Sequence, residues 1–262
     1  MPLSLRSLAE RLARNFVFKT RLPERFGRRV IWLSPGNHLA VLKLGDRKFV
    51  PDLLNFVERF VEPNDVVWDI GANMGLFALP AATRASHTIA FEPDPFNVRL
   101  IHRTMAANPD LKLDALAVAV SDEVGTARFN IPVRGRSANG LAHAAPGTQT
   151  GGVRQQFSVM TVTIDWLLDR YPAPHFVKCD AEGAEAMILR GASKMLADVR
   201  PVVVVEMAGE NAEECANIFL QHDYLLMSAY GPVSADGVTD DISELWDVLA
   251  IPREKFAQFV GR

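Results

Sequence analysis

Two groups of residues have types and spacings that could do chemistry. In Val66-Val67-Trp68-Asp69-Ile70-Gly71-Ala72-Asn73-Met74-Gly75 an apolar run ends in a turn carrying two glycines, and Glu92 follows Asp69 by 23 residues, closing Ile89-Ala90-Phe91. Glycines at 71 and 75 let the backbone approach a ligand closely and let the next helix start tightly. A carboxylate at the end of the neighbouring strand is placed to accept both hydroxyl protons of a ribose. The second group is Asp180 and Glu182, directly after Phe176-Val177-Lys178-Cys179. Carboxylates there lie at the carboxyl edge of a strand, where open α/β sheets bind ligands and where a proton acceptor or a polar positioning group belongs.

The elements that must hold these residues are legible as alternating patterns. Apolar runs at Val66–Ile70, Thr88–Phe91, Leu116–Val120, Phe176–Cys179, Val202–Val205 and Tyr224–Ser228 are separated by amphipathic stretches, among them Leu76–Arg84, Pro95–Ala107, Ala184–Leu196 and Ala212–His222. That rhythm predicts a parallel sheet covered on both faces by helices. Val248–Ile251 follows a connection too short for a normal crossover helix, so it is expected to run antiparallel. Upstream, Val30–Leu33 and Leu39–Leu44 read as two strands joined across Pro35-Gly36-Asn37, followed by a helix through Leu53, Leu54, Val57, Phe60 and Val61 that stops before Pro63.

Composition narrows the classes. The 262 residues are 48% apolar and 23% charged with a formal net charge of −3, which suits one large α/β domain with an extension and does not suit a nucleic-acid binder. Cys179 and Cys215 make neither a disulfide framework nor a zinc spacing and read as reduced thiols of a cytoplasmic protein. No run approaches the roughly 18 apolar residues of a membrane span. Residues 1–30 carry eight Arg or Lys against Glu10 and Glu24, with Leu5, Leu8, Leu12 and Phe16 at helical spacing. This basic amphipathic helix is expected to dock on the domain, membrane-surface contact or a transit role being the alternative.

The nature of the nucleoside ligand follows from charge. A dinucleotide site wants Gly-x-Gly-x-x-Gly beside the pyrophosphate, whereas here Asn73 holds the second glycine position and Asp69 adds a negative charge. A carboxylate suits an ammonium or a sulfonium better, and S-adenosylmethionine carries both. The blocks Asp69–Gly75, Phe91-Glu92-Pro93, Ala119-Val120-Ser121-Asp122, Thr163-Ile164-Asp165, Val177 to Glu185, Gly191-Ala192 and Pro201 to Glu206 resemble the FkbM family of methyltransferases. The resemblance implies a Rossmann-like class I methyltransferase fold, an α/β seven-stranded, mostly parallel sheet with an antiparallel last strand, and O-methylation of a hydroxyl on a sugar or natural product. It implies that Asp69, Gly71, Asn73 and Gly75 hold the methionine end of S-adenosylmethionine, Glu92 the ribose, and Ser121 and Asp122 the adenine. Cys179 stands where the family often has an aliphatic residue, and its alternation with Asp180 predicts a buried side chain.

Methyl transfer is an in-line displacement from an already activated donor, so the protein has mainly to align the reactants and take up a proton. Asp180 is the first candidate for that acceptor and Glu182 the second, with Glu206 at the same edge. A divalent cation held by Asp180 and Glu206 is the less favoured reading, and no metal site is assigned. Of the histidines, His38, His87 and His175 precede strands, at the opposite edge; only His143 falls in a segment expected near the acceptor. The chain is expected to divide into an N-terminal extension (1–62; basic helix, hairpin and helix) and a methyltransferase domain (63–262). Residues 132–156, rich in glycine, form a flexible lid-like insert whose Arg134, Arg136 and Arg154, with Arg128 on its flank and no nearby acid, would favour an anionic small-molecule acceptor. A nicotinamide oxidoreductase and a non-catalytic nucleotide-binding scaffold are the other classes these residues leave open.

Overall fold

The computed structural model describes residues 15–133, 135–144, 152–207, 211–242 and 245–262. The stretch from Phe18 to Phe60 gives β1 (Phe18–Arg21), β2 (Val30–Leu33) and α1 (Pro51–Phe60), the last opened by a proline whose missing N–H costs a helix nothing at that position. The alternating region follows as β3 (Val66–Ile70), α2 (Ala78–Ala82), β4 (His87–Phe91), α3 (Pro95–Ala106) and β5 (Leu113–Leu116). A short β6 (Ala119–Val120) then leads to β7 (Gly125–Pro132), β8 (Gly140–Leu141) and β9 (Val153–Val162). The chain continues through α4 (Ile164–Leu168), β10 (Phe176–Cys179), α5 (Glu185–Arg190), β11 (Val202–Glu206), α6 (Ala212–Gln221), β12 (Tyr224–Ser228) and β13 (Asp247–Pro252).

Seven of these strands make one sheet in the order β12-β13-β11-β10-β3-β4-β5, all parallel except β13, which lies antiparallel between β11 and β12. This is the class I methyltransferase arrangement, and the reversed strand is the one its short connection predicts. Successive strand residues face opposite layers. Trp68, Ile70, Val177, Cys179, Val203 and Val205 pack towards α4, α5 and α6, while Val67, Phe176, Val202 and Val204 pack towards α1, α2, α3 and the N-terminal strands. Asp69 and Lys178, flanked by residues of the first set, face the second layer.

Two local expectations are corrected and a third holds. Leu39–Leu44 is no strand: Leu39–Leu42 is a 3₁₀ turn, started where His38 Nδ1 accepts the Ala40 amide, and β2 pairs instead with β1. Such a local side-chain bond offers the backbone an alternative to a sheet ladder, and Leu42 and Leu44 remain exposed. Leu116–Val120 is not one strand either, since β5 extends the main sheet and β6 turns off to pair with β9. The insert's flanks do form the hairpin that Thr126–Ile131 and Phe157–Thr163 suggest, as β7 against β9. Most of the predicted N-terminal basic helix, together with Arg134 and residues 145–151 of the predicted lid, lies outside the described residues.

The N-terminal layer is fixed by aromatic packing. Phe176 of β10 is 1% exposed and stacks between Phe60 of α1 and Phe77, with ring centroids 6.1 and 5.9 Å away. Truncating it leaves a cavity that rigid strands cannot close. Phe176→Ala is therefore expected to cost about 3–5 kcal/mol in urea or thermal unfolding.

Candidate active site

The carboxyl ends of β3, β4, β10 and β11 converge on a cavity of about 370 Å³. At its floor the turns after β3 and β10 touch backbone to backbone. Asp180 N–H donates to the Ile70 carbonyl at 3.1 Å, and a Cβ on Gly71 would lie 1.8 Å from the Asp180 carbonyl oxygen. Gly71 also sits at φ +73°, so both space and backbone require glycine there. Asn73 (φ 51°) holds the next left-handed position, which asparagine tolerates better than most residues.

Below this contact lies a buried ion triad. Lys178 Nζ is 3.4 Å from Asp69 Oδ1, 3.3 Å from Asp180 Oδ2 and 3.4 Å from the Gly71 carbonyl oxygen, with Lys178 8% and Asp69 0% exposed. Burial alone would lower the lysine, but the carboxylates of Asp180 and Asp69 outweigh it and hold the ammonium well above its ordinary range. Burial pushes Asp69 up against the pull of Lys178.

Glu92 is buried behind the β3 turn. Its Oε2 accepts the Asn73 amide and its Oε1 the Asp94 amide, each at 2.8 Å, so it ties the two strand-end turns together. Burial pushes this carboxyl up to about 8. Although buried, it lines the cavity. Beside it Phe91, Val118, Ala119, Val120, Phe129 and Leu141 make an apolar slot.

The opposite wall is acidic, with Asp52, Asp180, Glu182, Glu206 and Asp247. Burial, with the carboxylate of Asp180 as hydrogen-bond partner and like charge, holds Glu206 well above the usual range. Desolvation and the like charges of Asp180 and Glu185 raise Glu182, an effect blunted by solvent because the residue stands exposed at the rim. Glu182 adopts φ 53°, and Glu185 fixes that strained loop by accepting the Ala181 and Gly183 amides at 2.7 and 3.0 Å. Tyr230 donates its hydroxyl to Asp247.

Five of the sequence-derived site residues therefore line the cavity: Gly71, Asn73, Glu92, Asp180 and Glu182. Four do not. Asp69 lies beneath it with Lys178, Gly75 sits in the turn behind, Ser121 is buried, and Asp122 reaches Arg190 at 3.1 Å. His143 is exposed and off the cavity wall, whereas His38 lines it, because the 3₁₀ turn replaces the strand that would have carried it to the other edge.

The positive insert is also corrected. Arg136 is ion-paired with the buried Asp94, where Asn139 also donates at 2.7 Å, and its guanidinium lies 4.5 Å from the centre of the Phe96 ring. Arg128 reaches Ser158 on the outer face of the β7–β9 hairpin. The described part of the insert, with Arg136, Ser137, Asn139 and Leu141 on the cavity wall, contributes no unbalanced charge there.

Residues 69–235 match the methyltransferase FkbM domain, well over half of the chain. The chain belongs to the FkbM methyltransferase family. Its methyl donor is S-adenosylmethionine, which displaces the nicotinamide reading. A curated relative, the hexuronic acid methyltransferase AglP of Haloferax volcanii, is 26% identical over 181 residues, covering 68% of this chain and 71% of the relative. Among solved structures, the methyltransferase FkbM of Methylobacillus flagellatus aligns with 14% identity and a TM-score of 0.47 over 82% of this chain and 58% of its own. The 16S rRNA N2 G1207 methyltransferase RsmC of T. thermophilus aligns with 15% identity and a TM-score of 0.49 over 91% and 50%. This chain thus spans less than two thirds of either solved structure.

Two parts of the site escaped the sequence pattern. Lys178 reads as one more residue of a buried strand; the signal was a lysine inside an otherwise apolar run. The N-terminal segment, outside the family match, supplies His38, Val50, Asp52, Leu53 and Phe56 to the wall, and its Asn37 amide bonds the Asn73 side chain. No helix among the described residues is long and apolar enough to cross a membrane.

Removing the ammonium leaves Asp69 as an uncompensated buried charge. Lys178→Met is expected to lose about 3–5 kcal/mol in urea unfolding, and adding Asp69→Asn to restore most of it.

Proposed function

We propose that this chain transfers a methyl group from S-adenosylmethionine to a hydroxyl of an uncharged sugar-type acceptor. The observation that carries the reading is one cavity with two unlike walls: Gly71, Asn73, Glu92 and an apolar slot on one side, Asp180, Glu206 and Asp247 on the other. Bound there, the donor supplies a methyl on a cationic sulfonium. The residues suit such a group: the Glu92 carboxyl keeps acceptor capacity for ribose hydroxyls beside the Asn73 and Asp94 amides, the slot from Phe91 to Val120 suits a purine, and the acid wall suits a cation.

In this reading Asp180 touches the acceptor hydroxyl and takes its proton, with Lys178 fixing the carboxylate from behind. Glu206, kept protonated by burial, donates to the Asp180 carboxylate and positions it, and Glu182 at the rim is a second acceptor in contact with solvent. Asp69 acts only through Lys178, as a positioning residue. Asp122 is engaged by Arg190, and the apolar slot takes the adenine. Among the described residues no three His, Cys, Asp or Glu side chains are grouped to hold a metal ion, and the nearby ammonium of Lys178 opposes one.

The relative AglP carries hexuronic acid in its name, which supports a sugar. The acid wall here, with Arg136 already neutralised, favours a neutral acceptor over an ionised one. Radiolabel transfer to methyl hexopyranosides is expected to exceed that to methyl hexuronides at neutral pH. Asp180→Asn is expected to lower turnover about 10²–10⁴-fold while leaving calorimetric affinity for S-adenosylhomocysteine nearly intact. Full turnover in that variant would remove Asp180 as the proton acceptor.

A further inference from the structure

A second, open hollow of about 510 Å³ adjoins the cavity, and the two share Asp52, Phe56 and Tyr230 as common walls. It opens from the acceptor side, where Tyr230 meets Asp247, and shares no residue with the slot beside Glu92. Whatever extends into it is therefore attached to the acceptor and not to the donor.

The lining is that of a sugar subsite. Asp52 and Asn55 project from α1 as short polar groups able to pair with hydroxyls, while Glu58 is held by Arg25 at 3.0 Å. Tyr230 is 54% exposed; its ring leans on the buried Phe56 at 5.8 Å, and its hydroxyl is tied to Asp247. An aromatic ring held at both edges, with much of its surface open, offers a platform for the apolar face of a pyranose. The far wall is braced by Arg59, which donates to the carbonyls of Ala229 at 2.7 Å and Gly231 at 2.5 Å, so the hollow is framed by the backbone on that side.

We propose that this hollow is a second acceptor subsite, which binds the sugar unit next to the one being methylated, so that the preferred acceptor is an oligosaccharide. This rests on the sugar-acceptor reading above. Half of its lining comes from α1, outside the residues that match the family, while Tyr230, Gly231 and Pro232 fall within them.

The test is calorimetry on the full chain saturated with S-adenosylhomocysteine. The probes are methyl glucosides, galactosides and mannosides and the corresponding methyl disaccharides. The best disaccharide is expected to bind about five- to tenfold more tightly than its monosaccharide. That advantage is expected to vanish in Tyr230→Ala, shrink in Asn55→Ala and persist in Tyr230→Phe, which keeps the ring. Equal affinity for mono- and disaccharides, or an advantage untouched by Tyr230→Ala, overturns the subsite while leaving the sugar-acceptor reading in place. Failure of every glycoside to bind overturns both.

Discussion

The active edge of this protein depends on burying one ammonium between two carboxylates. Asp69 and Lys178 are direct neighbours across the parallel pair β3 and β10, and both side chains point into the N-terminal layer. Either charge alone in that layer would be costly, and removing one partner of such a pair leaves the other uncompensated. The ammonium also reaches Asp180 and the Gly71 carbonyl, so the charge that satisfies Asp69 fixes the turn on which the donor is proposed to rest. The missing Cβ of Gly71 lets the two turns close on each other, and Glu92 and Glu185 then tie the loops above through backbone amides.

Above this triad the cavity carries more acid than it neutralises. Glu92 and Glu206 are held up by burial, which stores a preference for positive charge that an entering cation satisfies. The same excess, with Arg136 committed to Asp94, is the basis on which an uncharged acceptor is proposed. In the proposed reading one electrostatic arrangement serves both proton uptake and donor binding, with the acid wall near the reacting centre and an apolar slot at the far end.

Much of the sheet was legible because buried parallel strands are near-continuous apolar runs: Val66–Ile70, Phe176–Cys179 and Tyr224–Ser228 form with those bounds. The turn at Gly71, the carboxylate at Glu92 and the pair Asp180–Glu182 were legible because strand order fixes which edge they reach. What failed was long-range or locally overridden. His38 was placed at the wrong edge because the Leu39–Leu44 pattern hides a side-chain-capped turn. Ser121 and Asp122, which the family resemblance assigns to the adenine, follow the bend between β5 and β6 into a second sheet, and neither lines the cavity. Arg136 looked unpaired because its partner Asp94 lies 42 residues away. The contribution of α1 to the cavity had no local signal at all.

The raised carboxyls of the cavity are proposed to meet the sulfonium of the donor. S-adenosylmethionine carries that fixed charge and S-adenosylhomocysteine does not, while the rest of the two molecules is shared. A cation favours the ionised form of groups that burial holds protonated, so its binding releases protons and strengthens as those groups ionise. The decisive measurement is the ratio of the two affinities by calorimetry between about pH 6 and pH 9, bracketing the value of about 8 for Glu92. The ratio is expected to rise in favour of S-adenosylmethionine across that range, with net proton release on binding near neutral pH. A ratio that stays flat or falls, with no proton released, would contradict the electrostatic basis proposed for this site.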